Sequence, residues 1–418
     1  MTLVQDGAPI SLTARSGALK RLPELREAPA AFRTAVRLMA TNWIAGTLTF
    51  ELPSGRELRI EGAKPGPDAR LVVRDFRFIS RVLTAGDIGF AEGYMAGEWD
   101  TPDIAALLEI FSRNAEGILR LLRGNPVVRT LGVVNHALRA NTRRGARKNI
   151  HAHYDLGNAF YSRWLDETMT YSSARYAAPG QSLTQAQRNK YRTLAESIGL
   201  LSGHHVLEIG CGWGGFAEFA AGEVGAKVTG ITISREQYDF ASQRMFRQGL
   251  NERAEIRFVD YRDVDGQFDR VASIEMFEAV GEKYWPAYFG KIAQVLAPGG
   301  RAGLQIITIR DELFDSYRRR MDFIQKYIFP GGMLPSEARL EQETRAAGLS
   351  WQGLSRFGQH YADTLAEWRR RFDGAWDEIR PLGFDERFRR LWRFYLSYCE
   401  AGFRTGRTDV VQLALAKP

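Results

Sequence analysis

The run from His205 to Val224 constrains the chain more than any other. His205-Val-Leu-Glu-Ile209 is a short apolar segment of strand length, Gly210-Cys-Gly-Trp-Gly-Gly215 follows it directly, and Phe216 to Val224 reads as a helix. Glycines at 210, 212, 214 and 215 permit a tight turn and let a ligand lie against the backbone. The same alternation continues downstream. Strands are expected at Ala226–Ile231, Ile256–Val259, Phe268–Ile274 and Arg301–Thr308, with a helix at Arg235–Gln248. Strands that alternate with helices must return through crossovers, which makes a parallel, doubly wound α/β sheet. Ligands of such sheets sit at the carboxyl ends of the strands.

The loop's chemistry narrows the ligand. No Gly-Lys-Ser/Thr follows, so it is not a Walker A loop, and Gly-x-Gly-x-Gly-Gly departs from the Gly-x-Gly-x-x-Gly of dinucleotide sites. Glu208, two residues before the first glycine, is typical of S-adenosylmethionine sites. A dinucleotide or a purely structural turn stays open on the loop alone. The second strand does not end in the acidic residue that usually holds a ribose. It ends Gly230-Ile-Thr-Ile-Ser234, then Arg235-Glu-Gln237, so ribose contacts fall to Thr232, Ser234 and Gln237.

Upstream, residues 1–140 read as a smaller α+β domain. Gly46–Gly55 followed by Arg56–Ile60 has the pattern of a hairpin around Pro-Ser-Gly. Leu71–Arg74 is a further strand, and helices are expected over 24–41, 76–85 and 103–123. Residues 141–150 are a polar basic linker, and 151–418 are expected to form the larger domain that carries the glycine loop, with a helical C-terminal segment. The net charge is +8. Residues 113–148 hold nine Arg or Lys and one acid, Glu116, so that segment alone carries the excess. It suits an anionic partner, either nucleic acid or a phospholipid surface, or else a solvated linker face. Two cysteines, Cys211 and Cys399, exclude a disulfide scaffold and suit a reducing cytoplasm. No stretch approaches about 18 uninterrupted apolar residues, so no span is expected.

Several motifs then coincide. They are Phe90-Ala-Glu-Gly-Tyr-Met-Ala-Gly-Glu-Trp99, His153-Tyr-Asp-Leu-Gly-Asn158, Trp164–Ser172, Leu207–Gly215, Asp260-Tyr-Arg-Asp263, Glu275-Met-Phe-Glu-Ala-Val-Gly281, Lys326–Ser336 and Phe394–Arg404. In these the chain resembles the cyclopropane-fatty-acyl-phospholipid synthases over almost its whole length. The resemblance implies a Rossmann-like S-adenosylmethionine-dependent C-methyltransferase. Its substrate would be the cis double bond of an unsaturated acyl chain in a membrane phospholipid, and its product a cyclopropane. A methylene chain, a methyl branch or a furan precursor from the same cation are the alternatives. It implies an enzyme peripherally associated with the cytoplasmic face of the inner membrane, with room for a homodimer. A nucleic-acid methyltransferase is the remote alternative, and the chain lacks the Asn/Asp-Pro-Pro-Tyr/Phe motif of enzymes that methylate base amino groups.

By resemblance, Tyr171, Ser172, Gly210, Gly212, Trp213, Thr232, Ser234, Gln237, Tyr261 and Arg262 would line the cofactor. The family's base is usually a bicarbonate held by Cys, Glu, His and Tyr side chains. Those positions map to Ser173, Glu278, Gln305 and Tyr361 here. Two of the four differ, yet Ser and Gln still donate hydrogen bonds to an anion, so bicarbonate stays compatible with the set. Many members have Gly where this chain has Glu275. A carboxylate there could replace the ion as base, or merely satisfy a backbone amide. His151, His153 and Asp155 belong to the cofactor-side motif, and no metal is expected.

Overall fold

The structure, a computed structural model, describes residues 10–13, 28–115 and 156–418. The basic residues of 116–148, the linker 141–150 and His151, His153 and Asp155 lie outside them. The chain divides into two compact units.

The smaller unit combines the N-terminal residues with Phe384–Thr405. Its strands are β1 (Ile10–Thr13), β2 (Ala45–Glu51), β3 (Glu57–Glu61), β4 (Lys64–Val73) and β5 (Trp99–Asp100), in the order β1-β3-β2-β4-β5. β2 and β3 are the expected hairpin, paired antiparallel with Leu48 opposite Ile60. β4 is longer than expected, because Pro65, Gly66 and Pro67 mask a strand whose first residues are exposed. The helix Arg77–Met95 also exceeds its expected end. The chain passes Gly86 at φ 60°, a kink that glycine permits, and resumes the helix. The helix Ile104–Arg113 is capped by Asp103, whose carboxylate accepts from the amides of Ala105 and Ala106.

The C-terminal segment is not wholly helical, and this corrects the expected organisation. Its helix Glu386–Arg404 groups with the smaller unit, where Phe394 packs on Phe90, Tyr94 and Trp99. Residues 408–416 then return to the larger unit as a strand.

That larger unit is built on seven strands: β6 (His205–Ile209), β7 (Lys227–Thr232), β8 (Ala254–Phe258), β9 (Phe268–Ile274), β10 (Leu296–Ile309), β11 (Ser350–Arg356) and β12 (Thr408–Ala416). Their order is β11-β12-β10-β9-β6-β7-β8. β6 to β10 pair in parallel as expected, while β12 runs antiparallel between β10 and β11. Successive residues face opposite sides of the sheet. Leu207, Val271 and Leu304 join Trp285, Tyr288 and Phe289 on one face. Val206, Val228, Ala272 and Ala414 join Leu194 and Phe216 on the other. Both faces are covered, which is why these strands read as near-continuous apolar runs. The chain leaves β6 toward β7 and β8, then crosses to β9 and β10, so the strand order reverses between β6 and β9. A doubly wound sheet opens its ligand crevice at such a point.

Candidate active site

At the carboxyl end of β6 the glycine loop is shaped by left-handed backbone. Gly210, Gly212 and Gly214 have φ of 81°, 54° and 82°. The amides of Gly210 and Cys211 both donate to the carbonyl of Ile231, fixing the turn to β7. A Cβ at Gly210 would stand 2.7 Å from the Met276 side chain, whereas one at Gly212 would point into open space. That gap against bare backbone is a cradle, and near the carboxyl ends of β6 and β8 two buried polar atoms are short of partners. Glu208 Oε2 and the Tyr261 hydroxyl are buried with none. Burial pushes the Glu208 carboxyl up to about 8 and the Tyr261 phenol up to about 12. The residues present therefore fit a polar organic cofactor laid across the ends of β6 and β7.

The other cofactor-side residues fall into four groups. Thr232, Ser234 and Gln237 are buried and bond among themselves. Thr232 Oγ1 donates to Gln237 Oε1 and accepts from the Ser234 amide, while Ser234 Oγ caps the helix Arg235–Arg247. Arg262 is clamped on Asp260 by two side-chain bonds and lies over Tyr261 and Tyr284. Trp213 donates to Asn158 and packs on Tyr161, which in turn packs on Tyr171. Ser172 differs from these: its hydroxyl receives the Lys190 ammonium.

The five base-side residues converge at the end of β9. Glu275 adopts φ 50°, a backbone that costs a non-glycine residue roughly 1–2 kcal/mol. The turn aims its carboxylate at donors from three directions. Oε1 accepts from the Ser173 amide and from Gln305 Nε2, each at 2.8 Å, and Oε2 accepts from the Tyr361 hydroxyl at 2.6 Å. Glu275 keeps some exposure, but protein surrounds its carboxylate. Burial raises its pKa above the ordinary 4.5, opposed by these bonds and by Lys190. Glu278 accepts from the Ile307 amide at 2.5 Å, and its second oxygen is buried without a partner. Burial, then the neighbouring Glu275, push Glu278 up to about 8.

Two details depart from expectation. Ser173 meets Glu275 through its backbone amide, because its hydroxyl turns to the carbonyl of Ala174. A buried pair, Lys190 and Gln412, was not foreseen. Gln412 Nε2 donates to Gln305 Oε1 and to the Lys190 carbonyl. The residues lie 222 apart in sequence, and β12 was not expected as a strand. The polar Gln412 in the otherwise apolar run Val410–Leu415 was the available signal. Among the described residues no group of three or more His, Cys, Asp or Glu could hold a metal ion.

Comparison with known proteins agrees with this geometry. Residues 141–413 match the family model of mycolic acid cyclopropane synthetase. The chain is 41% identical over 367 residues to a tuberculostearic acid methyltransferase of Mycobacterium tuberculosis, covering 85% of this chain and 84% of that one. It is 34% identical over 379 residues to the cyclopropane-fatty-acyl-phospholipid synthase of Escherichia coli, covering 90% and 94%. A crystal structure of a mycolic acid cyclopropane synthase complexed with SAH and CTAB superposes with a TM-score of 0.62 at 28% identity, over 67% of this chain and 100% of that one. A fold with its crevice at the glycine loop, a site that fits an organic cofactor and likeness across most of the chain converge: the protein belongs to the mycolic acid cyclopropane synthetase family of S-adenosylmethionine-dependent lipid methyltransferases.

Proposed function

We propose that the enzyme methylates the cis double bond of an unsaturated acyl chain in a membrane phospholipid, and that Glu275 takes the proton whose loss closes a cyclopropane ring. The observation that carries this reading is the Glu275 carboxylate itself, gripped by Ser173, Gln305 and Tyr361. These are three of the positions that the resemblance assigns to holding a bicarbonate. Here they hold a carboxylate of the chain, so the anion site comes already filled.

The glycine loop, Thr232, Gln237 and Tyr261 would hold S-adenosylmethionine, which supplies an electrophilic methyl group on a sulfonium when bound. An alkene is a weak nucleophile, so a fixed loop matters for bringing the partners into line. The double bond gives its π pair to the methyl carbon as the carbon–sulfur bond breaks, leaving positive charge on the adjacent acyl carbon. A C–H pair of the new methyl group closes the ring, and its proton passes to Glu275. The Tyr171 ring centre lies 5.3–5.5 Å from those of Tyr161, Trp164 and Trp368, in tilted or edge-on contact, and such an aromatic cluster favours a passing cation.

In a second reading a hydride shifts from the methylated carbon to the neighbouring cationic carbon, and the methyl group then loses its proton without ring closure, giving a methylene chain. That reading is favoured by the higher identity to a relative named as a fatty-acid methyltransferase than to one named as a cyclopropane synthase. Lipids from a host expressing the protein decide between the two. Either product adds one CH2 to the mass of an unsaturated chain. Ring protons in the NMR spectrum with resistance to ozonolysis are expected; cleavage by ozone would favour the methylene, and unmodified chains would overturn both.

The same reading places the enzyme at the membrane surface by charge. No helix among the described residues is long and apolar enough to cross a membrane. Each basic residue near an anionic surface contributes about 1 kcal/mol, screened by salt. Sedimentation with vesicles is expected to rise with anionic lipid, fall with salt, and weaken when Arg143, Arg144, Arg147 and Lys148 are replaced by Gln. Binding indifferent to lipid charge would leave that segment a linker.

A further inference from the structure

The helix Leu183–Ser197 covers one face of the larger sheet and carries Lys190 with no solvent exposure. A buried ammonium is costly unless something compensates it. Lys190 Nζ donates to Ser172 Oγ at 2.6 Å and lies 4.7 Å from the centre of the Tyr191 ring. The carboxylates of Glu275, Asp166 and Glu208 act on it through space rather than through a contact ion pair. The mechanism above gives this cation no part, yet two routes join it to Glu275. One runs through its side chain: Ser172 receives the ammonium, and the amide of the next residue, Ser173, donates to Glu275. The other runs through its backbone: the Lys190 carbonyl accepts from Gln412, Gln412 donates to Gln305, and Gln305 donates to Glu275. Gln187, one turn earlier, holds the Ser172 carbonyl as well.

We propose that Lys190 is a positioning residue for the proton-accepting carboxylate: its ammonium, seated on Ser172, sits one residue from the Ser173 amide that holds Glu275, and its carbonyl anchors the Gln412–Gln305 relay that fixes the carboxylate's orientation. The inference rests on Glu275 being the base. The groups facing Glu275 are Ser173, Gln305 on β10, Tyr361 on the helix Gly358–Gly374, the neighbouring Glu278, and Lys190. Among the charges that act on Glu275, Lys190 is the one that favours its ionised form. Asp166, Glu208 and Tyr191 face Lys190 from the segment before Tyr171, from β6 and from its own helix. Burial draws Lys190 down to about 7, while the three carboxylates oppose that fall. Removing the charge takes from Glu275 the cation that opposes the effect of its burial.

Lys190→Met keeps the length of the stem and removes the charge, and Lys190→Gln keeps a donor for Ser172 should the Met variant fold poorly. Two readouts are needed. The first is kcat against pH on vesicles of unsaturated phospholipid. The second is titration of the Glu275 carboxyl by difference infrared spectroscopy, with Glu275→Gln as the blank. The acid limb of kcat is expected to move up by about one pH unit or more, with activity recovering at high pH, and the infrared titration to move with it. A uniform loss at every pH, with the infrared titration in place, would make Lys190 structural and overturn the proposal while leaving Glu275 as the base. An infrared shift without any shift in the limb would overturn it by the other route, since Glu275 would then not be the group that limits turnover.

Discussion

Glu275→Gln is expected to lower turnover by about 10²–10⁴-fold, the usual loss when a positioned general base is removed. The amide keeps the shape of the side chain and can still accept from Tyr361, but it cannot take a proton. S-adenosylmethionine affinity, measured by calorimetry, should stay as it was, because the cradle at Gly212 belongs to a different strand end. Activity of the unmodified enzyme should fall as pH drops through the Glu275 pKa. That pKa stands above the ordinary carboxylate value because the group is buried, so the acid limb should lie above the range of an exposed Glu. Glu275→Gly provides the complementary test. It relieves the backbone at φ 50°, worth roughly 1–2 kcal/mol of stability. It also vacates a pocket still lined by the Ser173 amide, Gln305 and Tyr361. Added bicarbonate should then restore turnover to the Gly variant and do little for the unmodified enzyme. Near-normal turnover in Glu275→Gln, together with strong bicarbonate dependence of the unmodified enzyme, would return the base to the ion.

Gly212→Val should abolish cofactor binding, with calorimetric affinity falling at least about 100-fold. A lost factor of 100 corresponds to about 2.7 kcal/mol, which a branched side chain planted between ligand and backbone readily exceeds. The open space at this position is what separates it from Gly210. A side chain at Gly210 would strike Met276 and damage the fold, whereas one at Gly212 meets no protein atom. The fold should therefore survive, with a loss of about 1–2 kcal/mol for a β-branched residue at φ 54°. A Val variant that still binds S-adenosylmethionine with unchanged affinity would move the cofactor away from this loop.

Much of this was legible in the sequence where the signal is local. The strand–glycine–helix unit, the parallel series β6 to β10 and the hairpin of β2 and β3 each announce themselves within a dozen residues. What escaped depends on distant partners. β12 lies beside β10, about a hundred residues upstream of it in sequence, and nothing near Val410 says that this run completes a sheet. Lys190 reads as one more polar helix residue until the fold buries it beneath Ser172. Gly86 looked like a helix end because its left-handed φ cannot be read from composition. The base-side set was legible only as residue types. That Ser173 would offer its amide to Glu275 while its hydroxyl donates to the Ala174 carbonyl cannot be read from residue type.

The placement of β12 has a consequence for biosynthesis. Gln412, the residue that steadies both Gln305 and the Lys190 carbonyl, is carried by a strand made after every other part of the site. While the ribosome is still adding residues 408–416, β10 presents a bare edge and the carboxylate at 275 lacks its anchored relay. Domains generally fold as units, with earlier segments settling first during translation. The glycine loop and β6 to β10 can thus be arranged before Gln412 reaches Gln305, and the relay to Glu275 closes only when β12 pairs with β10.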